Sequence, residues 1–166
     1  MESDRVMLIS RYCLDGVPYN KELTSVVWSG SSMRNWLNNT FYYEAFSPKE
    51  QNQLVSTLLE NKGNSVTGMS GGEATTDRIY LLSYDEVLTY FSTPESREVE
   101  ATEYAKSNGV NVSTQKNYVG NCDWWLRTPG DAYKTMTVGV SGGFALKGSS
   151  VQLKTIGVRP VIWVSK

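Results

Sequence analysis

Two tryptophan-bearing blocks in the last third of the chain constrain its fold most. They are Asn121-Cys122-Asp123-Trp124-Trp125-Leu126-Arg127-Thr128-Pro129-Gly130 and Gly157-Val158-Arg159-Pro160-Val161-Ile162-Trp163-Val164, and they hold three of the five tryptophans. Apolar runs rich in aromatic and β-branched residues read as strands. Side chains alternate along a strand, so Trp124 and Trp125 must point to opposite faces. Core positions are expected for Trp124 and Trp163, with a sugar-stacking platform as the other role open to the three tryptophans. Between the blocks, residues 131–156 are rich in Gly and Ser, which gives two apolar strands framing an adaptable surface. That arrangement suits binding better than chemistry.

Composition narrows the function further. The chain has 166 residues, the size of one ordinary domain, enough to bury roughly two-thirds of its unfolded surface. No repeat or boundary interrupts it, so a single domain over residues 1–166 is expected. Basic and acidic residues number 16 and 17, a balance without the electrostatic footprint that nucleic acid or an anionic membrane calls for. No apolar run approaches the ~18 residues of a membrane span, and Met1-Glu2-Ser3-Asp4 is acidic where a signal peptide is basic.

The chain contains no histidine. That removes Ser-His and Cys-His nucleophile pairs, imidazole bases and histidine metal ligands together. The two cysteines, Cys13 and Cys122, are too few for a four-ligand zinc site. Each lies beside a predicted strand and is expected as a free buried thiol. No cofactor or metal is expected.

Local signals place the elements. Val6-Met7-Leu8-Ile9-Ser10 reads as a buried strand. A helix behind the cap Ser31 should bury Met33, Trp36, Leu37 and Phe41. Ser47-Pro48-Lys49-Glu50 and Ser83-Tyr84-Asp85-Glu86 are capping boxes, the first opening a short helix and the second a helix through about Phe91 with Val87, Leu88 and Phe91 on its apolar face. Residues 60–76 read as a long surface loop, 78–82 as a strand, and 99–107 as a helix closed by Asn108-Gly109. Thr135–Val140 and Phe144–Lys147 flank Ser141-Gly142-Gly143 as a hairpin. Met136, Val138 and Val140 should share one face, which turns Thr135 and Thr137 toward solvent.

Two matches to G-x-S-x-G, at residues 68–72 and 139–143, lack both a strand-to-helix setting and a histidine, so they read as turns. Paired carboxylates can hydrolyse glycosides without histidine, and Asp123 and Asp131 flank the tryptophan strand; they define the one enzymatic alternative, a carbohydrate-active enzyme. Asp85 and Glu86 read instead as helix-start residues. Arg127 and Arg159, inside apolar strands, are expected to tie loops together through carboxylates and carbonyls.

The chain resembles a bacterial domain family of unknown function whose members share a W-W-L-R-S-P-G block and a terminal G-V-R-P-A block. The landmarks run in order through Leu8-Ile9-Ser10-Arg11-Tyr12-Cys13-Leu14-Asp15, Pro18-Tyr19-Asn20, Arg34-Asn35-Trp36-Leu37-Asn38, residues 74–83, Asn121-Cys122 and the two tryptophan blocks. That family resembles a branch of the C-type-lectin-like fold, shared with formylglycine-generating enzymes and with variable proteins of diversity-generating retroelements. The resemblance implies an α+β domain with a mixed, mostly antiparallel sheet and flanking helices, and a cell-surface or extracellular location. It also implies a display surface near the C-terminus, with Met136, Val138, Gly142, Gly148 and Val151 as scaffold. Asp131, Tyr133, Lys134, Thr135, Ser141, Phe144, Lys147, Ser149, Ser150, Gln152 and Lys154 would be displayed. Tyr133 and Phe144 would be apolar anchors in such a paratope-like surface.

The calcium-binding sugar motifs of lectins and the C-terminal cysteine pair of formylglycine-generating enzymes are missing, which speaks against both chemistries. Relatives carry a strand ahead of the Leu8-Ile9-Ser10 landmark, so a sheet edge that is open, or completed by another chain, is expected here. The expected role is non-catalytic recognition of a protein or glycan through residues 129–157. A structural module of a larger surface protein is the remaining alternative.

Overall fold

Hydroxyl caps start the helices. Ser31 Oγ accepts the Arg34 N–H at 3.1 Å and opens α1 (Ser32–Trp36), which passes through a π-helical turn, Leu37–Phe41, into α2 (Tyr42–Ala45). Reciprocal boxes at Ser47 and Glu50, and at Ser83 and Glu86, open α3 (Pro48–Gln51) and α4 (Tyr84–Tyr90). Thr93 opens α5 (Pro94–Arg97), and Thr102 opens α6 (Glu103–Ser107). Each cap satisfies a backbone donor that the first helical turn leaves unpaired. Helix α6 starts at Glu103 rather than at residue 99, because residues 99–101 bond to the segments around Cys13 and Cys122.

These elements come from a computed structural model that describes residues 4–166; Met1, Glu2 and Ser3 of the acidic start lie outside the described residues. The strands are β1 (Arg5–Ile9), β2 (Thr57–Leu59), β3 (Thr75–Asp77), β4 (Ile79–Tyr80), β5 (Trp124–Pro129), β6 (Lys134–Val138), β7 (Phe144–Ser150) and β8 (Val161–Ser165). They form three antiparallel sheets, ordered β1-β8-β4, β2-β3 and β5-β6-β7. With the helices this is an α+β architecture.

The first strand pairs with the last, Met7 opposite Trp163 and Leu8 opposite Ile162. Strand β1 is an edge strand, and its burial alternates: Met7 and Ile9 pack on the core while Val6 and Leu8 are exposed. The run predicted as fully buried is thus half-buried, as befits an edge. Beside Leu8, Phe41, Phe46 and Ile162 line a shallow apolar groove.

Strand β5 is buried along its whole length, with Trp124 and Trp125 both at 0% exposure. Opposite faces are still required of adjacent strand residues, and here both faces are core. Trp163 is only partly buried. Four extended segments close into a ring through single bridges: Cys13 to Ala101, Glu100 to Asn121, Trp124 to Gly157, and Val158 to Asp15. Cys13 and Cys122, on two of those segments, are buried free thiols. Burial, then the neighbouring Cys122, pushes the Cys13 thiol well above its ordinary pKa. A Cβ at Gly157 would come within 2.5 Å of both Cβ and Sγ of Cys13, so only glycine fits.

Residues 60–76 are not simply a surface loop. Asn64 is buried, and its Nδ2 donates to the carbonyls of Pro129 at 2.9 Å and Leu146 at 2.8 Å. Thr67 Oγ1 donates to the Gly130 carbonyl at 2.7 Å. The loop thus clamps the end of the β5-β6-β7 sheet. Leu88, expected on the apolar face of α4, is exposed, whereas Val87 is fully buried.

Candidate functional site

Of the residues expected to be displayed, Lys134 and Thr135 lie in β6 and Phe144, Lys147, Ser149 and Ser150 in β7, and the register decides which of them face solvent. Lys134 pairs with Ser150 and Thr135 with Ser149 before a register shift; beyond it Val138 pairs with Phe144. Thr135 and Thr137 are buried, at 0% and 1% exposure, contrary to the expectation of a solvated face. Thr135 Oγ1 reaches the carbonyls of Leu126 and Thr128 at 3.3 and 2.8 Å, so it cannot meet a ligand. Alternation predicts which side a residue takes and says nothing of what covers that side. Here β6 is the central strand, with both faces covered.

Phe144 also departs from its predicted role. It is half-buried, edge-on to Tyr84 at 4.7 Å between centroids, with the Arg97 guanidinium 4.7 Å over its ring. Arg97 is buried and donates to the Gly142 carbonyl at 3.2 Å. Phe144 is an internal anchor, not a displayed one. Gly142 has a positive φ of 73° and no room for a Cβ against the Pro94 carbonyl, which fixes the hairpin turn beside α5.

The remaining residues fall in four places. At the β5–β6 turn, Asp131, Tyr133, Lys134 and Lys147 are exposed and Ser150 is half-buried. The Asp131 N–H donates to the Lys147 carbonyl at 2.8 Å and the Lys134 N–H to the Asp131 carbonyl at 2.9 Å. Ser141 is exposed at the opposite end of the hairpin. Beyond β7, Gln152 and Lys154 are exposed, with Gln152 Nε2 donating to the Lys21 carbonyl at 2.9 Å. Ser149 sits apart, half-buried, its hydroxyl 3.3 Å from that of Thr137. Met136, Val138 and Val151 are buried beneath.

Tyr133 is the sharpest feature of the turn. It is 50% exposed and has φ 61°, the one non-glycine residue with positive φ among those described. L-residues other than Gly, Asn and Asp rarely adopt that conformation. Its carbonyl accepts the Val151 N–H at 3.0 Å, which locks the turn to the segment after β7.

Asp123 and Asp131 lie just beyond opposite ends of β5. The cleft that Asp123 lines does not include Asp131, whereas paired glycosidase carboxylates flank one site about 5–9.5 Å apart. The two carboxylates do not share a site. Asp123 lines a cleft of about 360 Å³ with Ser149, Val140 and Leu153. Burial raises its carboxyl above the ordinary range, and the Val140 N–H, donated to Oδ1 at 3.0 Å, partly offsets this.

The core arginines tie the frame together. Arg127 is 4% exposed; it binds both Glu86 oxygens, the Leu81 carbonyl at 2.9 Å and Asn61 Oδ1 at 3.2 Å. Arg159 donates through Nε to the Ser10 carbonyl at 3.0 Å and lies over the rings of Trp124 and Phe91. Its Nη1 is buried without a hydrogen-bond partner. Arg34 pairs with buried Asp77 at 2.7 Å, which also accepts the Trp28 indole N–H at 2.9 Å. Asn38 accepts the N–H groups of Arg78 and Ile79 and donates to the Ile79 carbonyl.

A family model for a domain of unknown function, DUF6273, matches residues 3–166. The chain belongs to the DUF6273 family. Neither a curated protein nor a solved structure matches it. In this DUF6273 chain, no three His, Cys, Asp or Glu side chains among the described residues converge as metal ligands. Nor is any described helix long and apolar enough to cross a membrane.

One feature of this DUF6273 domain escaped the sequence reading: a second cleft, between β2 and α4, floored by Tyr80, Arg127 and Trp163. Its side chains come from five separate stretches of chain, so no local motif announces it. Burial, then the nearby Glu86, pushes the Tyr80 phenol up to about 12.

Proposed function

We propose that this domain is a non-catalytic recognition module that binds a protein or glycan through the β5–β6 turn and the adjoining edge of β7. The observation that carries the reading is Tyr133, half exposed and held in a left-handed backbone among Asp131, Lys134 and Lys147. Strained exposed residues persist where the surrounding structure holds them, and they cluster at binding sites. A tyrosine fixed in this way offers a large contact area with little entropy left to lose on binding. The family-like landmarks Arg34, Asn38, Asp77 and Arg127 spend their polar atoms on internal bonds, which favours a frame over a catalytic centre. Asp131, Tyr133 and Lys134 are exposed on a turn, and small molecules favour concave sites, so a protein ligand is better supported than a small glycan.

The finer version of the proposal is a C-type-lectin-like frame carrying a diversified surface, as in variable proteins of diversity-generating retroelements, displayed outside the cell or on its surface. Sequencing the locus across native populations tests it. Substitutions concentrated at Asp131, Tyr133, Lys134 and Lys147 and sparse at buried Thr135 support diversification; uniform variation overturns it. The edge of β1 is proposed as the route to oligomers, since among the described strands β1 is the outer one of its sheet and exposes Val6 and Leu8, and such an edge can add a strand. Sedimentation of wild type against Leu8→Lys reads this directly: a monomer in both sinks it.

A further inference from the structure

The cleft between β2 and α4 has a volume of about 260 Å³ and lies outside the recognition surface. In its floor, Tyr80 Oη accepts the Trp163 indole N–H at 2.9 Å, and the Arg127 guanidinium lies 5.6 Å from the Tyr80 ring centroid. One wall presents Tyr90, about half exposed, from α4. The rim is closed by Lys62 and Asp85, 3.5 Å apart and both largely exposed, which join the loop after β2 to α4. An exposed pair of this kind contributes little and opens readily.

Four of the five charged side chains that line the cleft are paired. Arg127 faces Glu86 and Lys62 faces Asp85, with Glu60 as the remaining ionisable carboxylate in the lining. An anionic ligand would meet three carboxylates, and a cationic one would meet Lys62 and Arg127. A neutral ligand with many hydroxyls avoids both conflicts: its hydroxyls donate to the carboxylates and accept from Lys62, while an apolar ring face covers an aromatic side chain. The volume falls just below the ~300–1,000 Å³ of drug-sized pockets, which limits the occupant to a small unit.

We infer that this cleft binds one neutral sugar residue, packed on Tyr90 and hydrogen-bonded across the Lys62–Asp85 rim. The test is titration of isotopically labelled protein with glucose, galactose, mannose and N-acetylglucosamine, reading the Trp163 indole N–H by NMR. The expected result is a saturable shift of that resonance by at least one sugar with a Kd on the order of 1 mM, lost in Tyr90→Ala and retained in Tyr133→Gly. Glucuronate should bind more weakly than the matching neutral sugar. The absence of a saturable Trp163 shift with all four sugars, or a shift that persists unchanged in Tyr90→Ala, would overturn the inference. Because Tyr133→Gly leaves the cleft intact, failure here and failure of the turn surface read out separately.

Discussion

Arg127 and Glu86 are joined at two points, Nη1 to Oε2 and Nη2 to Oε1, the second at 3.0 Å. The same Glu86 carboxylate accepts the Ser83 N–H at 2.8 Å and so closes the capping box of α4. One side chain therefore fastens the start of a helix to a buried strand. The contact also forms one side of the β2–α4 cleft, which makes it a structural joint with a solvent-facing edge.

Removing Arg127 strands Glu86 and the Leu81 carbonyl. Breaking a buried ion pair from one side costs about 3–5 kcal/mol, so Arg127→Ala is expected to lose about that much in denaturant unfolding. Glu86→Gln keeps an acceptor for the Ser83 N–H but leaves the buried Arg127 guanidinium without its counter-charge, so it too should lose stability. A negligible loss in both variants would show that the pair is not the source of the stability.

Gly157→Ala places a methyl group against Cys13. Overpacking of this kind costs about 1–3 kcal/mol, and the midpoint of unfolding should fall accordingly. Removing the obstructing side chain in the Cys13→Gly background should make the added cost of Gly157→Ala smaller. The double-mutant cycle reads this coupling; strictly additive losses would mean that the clash is relieved elsewhere in the ring.

Asp123 gives a pH signature. Burial raises its folded pKa above the unfolded value. The folded state then holds a proton that the unfolded chain has released, so this group's contribution is greatest below the unfolded pKa and declines as pH rises to the folded pKa. Asp123→Asn keeps an acceptor for the Val140 N–H and removes the titration. Relative to wild type, the variant should gain stability as pH rises through the carboxylate range, measured by unfolding at a series of pH values. A difference independent of pH would contradict the assignment.

Much of the frame was legible because it rests on local rules. Ser31, Ser47 and Ser83 announce helix starts through hydroxyl and carboxylate spacing, and Ser141-Gly142-Gly143 announces the hairpin. Burial was harder to read. Thr135 looks displayed because it alternates with Met136, yet the face it takes is covered, and β1 looks buried because it is apolar, yet it lies at a sheet edge. The sequence also hides pairings between distant residues. Arg127 was expected to tie loops and Glu86 to cap a helix, but nothing local says that they meet. The β2–α4 cleft was invisible for the same reason, while the exposure of Tyr133 was legible and its positive φ was not.

The most direct test of the recognition account separates binding from stability at Tyr133. Glycine relieves the left-handed strain but adds chain entropy to the unfolded state, so Tyr133→Gly should change stability by no more than about 1 kcal/mol. A phage-displayed peptide library panned against the immobilised wild-type domain supplies ligands, whose affinities are then measured for both proteins. The account predicts that most selected peptides lose at least tenfold in affinity for Tyr133→Gly while the unfolding midpoint stays close to wild type. Peptides that bind both proteins equally would place the preferred recognition surface elsewhere and contradict it.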